Sequence, residues 1–157
     1  MSLLTTGEVV QFAVRIEENG YNFYKNFAGT LKNEQERSLF NFLAEEELKH
    51  VDVFKRMLPG AKAAKPRLNY PDEYSAYLQA YADNLIFTES SLKKETDKIK
   101  DARAAVDFGM RRELDSILYY QEIKAFVPQN DAGLLDEIIR EERKHFLKLS
   151  GMKKDLR

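Results

Sequence analysis

Glu46-Glu47-Leu48-Lys49-His50 and Glu141-Glu142-Arg143-Lys144-His145 contain the only two histidines of this 157-residue chain, each closing the same Glu-Glu-x-x-His phrase. On a helix, residues three apart lie on one face about one turn apart, so Glu47 with His50, and Glu142 with His145, can each hold one cation. A lone Glu-x-x-His is ordinarily a solvated, charged helix face. The pattern around these two argues otherwise. Leu39, Leu43, Glu47, His50, Phe54 and Met57 follow core spacing, as do Leu135, Ile138, Glu142, His145 and Leu149. Each phrase therefore reads as half of a metal site set in an apolar stripe.

Working outward, both phrases fall on long helices. The four prolines stand at 59, 66, 71 and 128, and the chain has only seven glycines, so long segments run uninterrupted. A first helix starts at the capping box Thr5-Thr6-Gly7-Glu8 and runs to about Leu31. Val10, Ala13, Val14, Glu17, Tyr24, Ala28 and Leu31 form one of its stripes, and Phe12, Ile16, Phe23 and Phe27 a second. A helix apolar on two faces needs two partners, so a second subunit in a homodimer, or a covering crossover, is expected over the second stripe. Asn33 caps the second helix, and Leu58-Pro59-Gly60 is expected to end it. A basic loop over 61–70 and a tyrosine-rich short helix over Asp72 to Phe87 follow, then a polar stretch from Thr88 to Lys100, part helix and part loop. The third long helix carries Ala105, Val106, Met110, Glu113, Ile117 and Tyr120 on one stripe; the fourth is predicted from Ala132 to Leu149, ending at Ser150-Gly151. The fold class is all-α: a single domain over 1–157, with a first hairpin over 1–60, a crossover over 61–100 and a second hairpin over 101–151.

An internal repeat supplies further candidates. A shift of 96 residues lays Phe12 on Phe108, Glu17 on Glu113 and Tyr24 on Tyr120, while a shift of 95 takes Glu47 to Glu142 and His50 to His145. In each hairpin a glutamate of the stripe is followed seven residues later by a tyrosine on nearly the same face. A buried ion pair is the structural reading of Glu17 and Glu113, but no Lys or Arg lies on their stripe. Four carboxylates converging in a core repel one another and lose hydration, and two divalent ions cancel that charge. Four glutamates and two neutral imidazoles suit iron, or manganese, better than calcium. Tyr24 is expected to donate to Glu113 and Tyr120 to Glu17, each across the hairpins. Glu46 and Glu141 either accept from the outer imidazole nitrogens or face solvent.

Composition narrows the functions. A net charge of −1 with 32% charged residues gives no footprint for nucleic acid. No apolar run nears the roughly 20 residues of a membrane span, and a cytoplasmic protein is expected. The absence of cysteine excludes a thiol nucleophile, a cysteine-held zinc or an iron–sulfur centre within the chain, so any electron donor is a separate molecule.

These residues resemble the ferritin-like superfamily of di-iron carboxylate proteins, and most closely its rubrerythrin branch. The resemblance spans nearly the whole chain. It rests on Glu17 to Tyr24 (Glu-Glu-Asn-Gly-Tyr-Asn-Phe-Tyr), Glu113 to Tyr120 (Glu-Leu-Asp-Ser-Ile-Leu-Tyr-Tyr) and the two Glu-Glu-x-x-His phrases. It implies a ferritin-like four-helix bundle and a di-iron site that reacts with hydrogen peroxide or dioxygen, ligated by Glu17, Glu47, His50, Glu113, Glu142 and His145. Glu47 and Glu142 are the expected bridges. Rubrerythrins proper carry a cysteine-ligated domain that feeds electrons to the site, so here the implied donor is a separate protein. They also place an extra glutamate where this chain has Ser116, which makes the six-residue set closer to that of bacterioferritin. The expected function is an oxidoreductase of rubrerythrin type; the alternatives are a non-catalytic protein that binds, senses or transfers iron, and a metal-free helical scaffold.

Overall fold

A computed structural model describes residues 4–64, 72–86 and 89–156. Six helices follow one another: α1 (Thr6–Ala28), α2 (Glu34–Ala63), α3 (Asp72–Leu85), α4 (Glu89–Asp97), α5 (Ala102–Ile123) and α6 (Gln129–Asp155). α1 packs along α2 and α5 along α6, while α1 meets α5 and α2 meets α6 across the bundle. The architecture is the all-α four-helix bundle expected from the sequence, with α3 and α4 in the long crossover.

Local chemistry sets most helix starts. Thr5 accepts from the backbone N–H of Glu8 while the Glu8 carboxylate accepts from the backbone N–H of Thr5, closing the capping box. Asn33 and Asp101 cap α2 and α5 by accepting from Glu36 and Ala104.

Four helix ends lie elsewhere than expected. α2 runs through Pro59 and Gly60 to Ala63. Proline removes one backbone donor there, yet burial of Ala61 in the core and the close approach of Lys62 to α1 hold the extra turn. A Cβ on Gly7 would lie 2.9 Å from Lys62 Cγ, so glycine admits this approach. α6 begins at Gln129, because Pro128 offers its carbonyl to the N–H groups of Asp131 and Ala132. It continues through Gly151 to Asp155, where Met152 packs on the core and Lys153 pairs with Asp107. Among the described residues no glycine takes positive φ. Of the expected loop over 61–70, residues 61–63 belong to α2 and 65–70 lie outside the described residues, as do Phe87 and Thr88. α1 ends at Ala28, a turn short of Leu31.

The crossover helices contribute to the same two apolar clusters as the second stripe of α1. Leu78 and Leu85 of α3 are buried in the cluster that holds Ile16, and Leu92 of α4 in the one that holds Phe23 and Phe27. Those two apolar clusters occupy the two halves of the bundle. One takes Val9 to Ile16, Val51 to Ala61, Tyr119 to Val127 and Leu135 to Ile139; the other takes Phe23 to Ala28, Phe40 to Ala44, Ala105 to Phe108 and Leu149. On every main helix the residues between the two clusters are the glutamates and histidines of the repeat, so a polar layer is sandwiched between two dry ones. No described helix is long and apolar enough to cross a membrane.

Candidate metal centre

Each main helix sends its polar residues into that layer because they sit in register with its apolar stripe: Glu17 from α1, Glu47 and His50 from α2, Glu113 from α5, Glu142 and His145 from α6. All six are buried. They form two overlapping groups, Glu17, Glu47, His50 and Glu142 in one, Glu47, Glu113, Glu142 and His145 in the other. Within each group the candidate ligand atoms lie within 4.8 Å of one another. Glu47 and Glu142, one from each hairpin, are common to both.

The distances aim the imidazoles inward. His50 Nδ1 lies 2.6 Å from Glu142 Oε1 and 3.4 Å from Glu17 Oε2. His145 Nδ1 lies 3.4 Å from Glu142 Oε2 and 3.5 Å from Glu47 Oε1. The two rings stand 5.7 Å apart, nearly parallel. Both Nδ1 atoms, Glu17 Oε2, Glu47 Oε1 and both oxygens of Glu142 are buried without a hydrogen-bond partner. Buried polar atoms are nearly always satisfied, so atoms that converge without hydrogen-bond geometry mark the place of a cation that would satisfy them together.

Protonation shows the same strain in charge. Burial, then the charge of Glu142, hold the carboxyls of Glu47 and Glu113 well above the usual range. Burial also disfavours the charged imidazoles, but neighbouring carboxylates outweigh it: Glu17 and Glu142 push His50 upward, and Glu113, Glu142 and Glu47 push His145 up to about 12. For Glu142 burial is likewise outweighed, by its contacts with Glu113 and both histidines, and its pKa is lowered. The shifts place protons on Glu47, Glu113 and the imidazoles, offsetting the negative charge of the layer.

Surrounding side chains fix the ligands. Tyr24 donates to Glu113 Oε1 and Tyr120 to Glu17 Oε1, in both cases from the opposite hairpin. Glu141 lies 2.7 Å from His50 Nε2, also across the hairpins, so Nδ1 is the nitrogen turned to the carboxylates. Its counterpart Glu46 instead pairs with Lys49. Lys144 follows Glu141 at the same spacing as Lys49 follows Glu46, so local sequence does not account for the difference.

Two residues at the site carry weak sequence signals. A Cβ on Gly20 would stand 2.5 Å from Glu47 Oε2 and 3.4 Å from Arg112 Nη2, so glycine opens the space that the Glu47 carboxylate fills. The repeat offers a clue, since Gly20 and Ser116 occupy equivalent positions, each three residues after a candidate ligand. Arg112 lies just off the stripe, immediately before Glu113, yet it is buried and donates from Nη2 to the Ile16 carbonyl at 2.8 Å. A charged residue next to a stripe gives no sign from spacing alone that it will fold inward.

Comparison with known proteins bears on the fold and on the family. A solved structure from Thermotoga maritima, described as a ferritin-like diiron-carboxylate protein, superposes with a TM-score of 0.69 over 98% of this chain and 97% of that one, at 21% identity. At that identity the likeness establishes the fold, which is ferritin-like. No curated protein matches the chain. The rubrerythrin family profile, in contrast, matches residues 8–153, which contain every helix core and all six buried Glu and His residues. The chain belongs to the rubrerythrin family.

Proposed function

We propose that the chain is a di-iron carboxylate oxidoreductase that reduces hydrogen peroxide or dioxygen with electrons from a separate donor protein. One observation carries the metal site: among the described residues, the buried side-chain atoms lacking hydrogen-bond partners lie on Glu17, Glu47, His50, Glu142 and His145, with Arg112 Nη1 the one exception. A mixed oxygen and nitrogen donor set fits iron. Glu17 and His50 would hold one ion, Glu113 and His145 the other, and Glu47 and Glu142 both.

A pair of ferrous ions held by these residues would supply the two electrons needed to cleave an oxygen–oxygen bond. The chain's own groups set the conditions. Tyr24 and Tyr120 each occupy one oxygen of a terminal carboxylate, which leaves the second oxygen of Glu113 and of Glu17 for the ion. Glu141 keeps the His50 ring in one orientation. The apolar clusters on either side exclude water, which strengthens every charge interaction within the layer.

Elemental analysis of protein from iron- and manganese-supplied cells tests the site, with about two iron atoms per chain expected. Repeated peroxide-dependent reoxidation with an added reductant then tests turnover. Tight iron binding without turnover would leave iron handling as the function.

A further inference from the structure

The two tyrosines that hold the ligand carboxylates differ in their surroundings. Tyr24 sits among phenylalanines, with Phe23 at 5.2 Å and Phe40 at 5.7 Å between ring centroids. Tyr120 has Phe54 at 5.1 Å on one side but on another leads outward through hydroxylated rings. Tyr119 is 6.0 Å from it, Tyr81 stacks on Tyr119 at 5.9 Å with 12° between planes, and Tyr77 follows at 6.1 Å. Tyr119 and Tyr120 are fully buried, whereas Tyr77 is 43% exposed. Tyr77 and Tyr81 line a surface groove of about 330 Å³ with Asn84, Leu85 and Asp115. The shift of 96 that relates the hairpins lays Phe23 on Tyr119, so the same slot beside each ligand-holding tyrosine differs by one hydroxyl.

We propose that Tyr77, Tyr81, Tyr119 and Tyr120 form a one-electron route between the α3 groove and the carboxylate layer, with Tyr120 as its inner terminus. Phenol rings give up an electron far more readily than phenyl rings, and most readily when a base takes the hydroxyl proton. Tyr120 has that base, because its hydroxyl donates to the Glu17 carboxylate. Tyr81 and Tyr119 donate to the backbone carbonyls of Asp115 at 2.7 Å and Val9 at 2.9 Å, which hold no proton. Those two rings therefore keep their hydroxyl protons and relay charge, and Tyr120 is the station where a radical settles. Peroxide or dioxygen reduced at the carboxylate layer is the oxidant that takes one electron from Tyr120, whose hydroxyl proton moves along its hydrogen bond to Glu17; a one-electron donor at the groove is then oxidised, the Tyr120 radical is reduced and the proton returns. The intervening rings end unchanged. The route deepens the proposed function, since a chain without cysteine that consumes electrons needs an entry for them.

The test uses the full-length chain with zinc, a redox-silent divalent ion, in the medium. The absence of native cysteine lets a ruthenium polypyridyl photo-oxidant be attached at Asn84→Cys alone. After a flash with a sacrificial electron acceptor, electron paramagnetic resonance should show a deprotonated tyrosyl radical that Tyr120→Phe abolishes and Tyr24→Phe retains. Tyr119→Phe, which keeps the ring and its packing, should cut the Tyr120 radical yield about tenfold or more; Tyr81→Phe gives a second break nearer the surface, with the same expectation. A radical confined to Tyr77 or Tyr81 in the parent, or a parental yield in both broken chains, overturns the route. Neither outcome depends on iron. Loss of the route with two irons still bound leaves the proposed function standing, and a working route in a chain that binds no iron removes the function alone.

Discussion

His50 Nδ1 on the first hairpin and Glu142 Oε1 on the second lie 2.6 Å apart, both buried and both without a hydrogen bond. Two atoms held so close without a shared proton in line are arranged for a third partner. Both hairpins must be docked for that arrangement to exist, so the metal site reports on tertiary structure directly.

Glu47→Gln should separate the energetics of the bundle from those of the metal. Glu47 is buried among three other carboxylates, and its charged form is disfavoured by burial and by Glu142. The amide keeps the shape and removes the charge, so the metal-free chain should gain roughly 1–3 kcal/mol in denaturant unfolding. Binding of two ions per chain should be lost in the same variant. Retention of two ions in Glu47→Gln would refute the shared-ligand role of this residue.

The metal-free chain should lose stability as pH rises. Glu47 and Glu113 are raised above 4.5, and His50 and His145 above 6.5, so in each case the folded chain holds a proton that the unfolded chain has released. The histidine contribution is complete below pH 6.5 and disappears as pH climbs toward about 12. Glu142, whose pKa is lowered, contributes above 4.5 and adds no further change in this window. Metal ions displace those protons, so apparent affinity should rise with pH. Thermal unfolding between pH 6 and 9, roughly the span over which histidine begins to titrate, should show a downward slope without metal and a flatter one with it. A rising slope in the metal-free chain contradicts the assignment.

Gly20→Ala should weaken the metal without weakening the bundle. The added methyl group meets Glu47 Oε2 at 2.5 Å and forces the carboxylate to turn. Alanine favours the helix by about 1 kcal/mol over glycine, which offsets the local crowding. Affinity for ferrous or cobaltous ion, read by titration, should fall about 10- to 100-fold, with an unfolding midpoint near that of the parent. Parental affinity would mean that Glu47 relaxes freely.

Glu141→Ala and Glu46→Ala should behave differently although they occupy equivalent places in the repeat. Glu141 holds His50 Nε2 across the hairpins, whereas Glu46 pairs with Lys49 one turn away on its own helix. Removing Glu141 frees the His50 ring and should lower affinity about tenfold. Removing Glu46 should change neither affinity nor stability measurably, as expected for a pair whose lysine is solvent-exposed. Equal effects from the two would show that His50 is fixed by packing alone.

The six ligand candidates could be read from sequence because they obey helical periodicity and repeat across the chain. A glutamate in register with leucine and phenylalanine is anomalous wherever the helix packs, so Glu17 and Glu113 identify themselves without coordinates. The helix ends could not be read so well. Pro59 and Gly151 are sound local stop signals, overruled by Ala61 and Met152, whose burial rewards the extra turns. Arg112 points inward although its neighbour Glu113 defines the stripe, and the choice between Glu46 and Glu141 rests on what faces each from the other hairpin.

The sequence by itself determined the helical class, the two matched hairpins and the buried charge that calls for metal, since each follows from spacing along one chain. Only the tertiary structure decided which of Glu46 and Glu141 reaches a histidine, which tyrosine opens onto the surface and how Gly20 makes room for Glu47. Those are relations between helices, and the docking of hairpins 95 and 96 residues apart sets distances that no local pattern encodes.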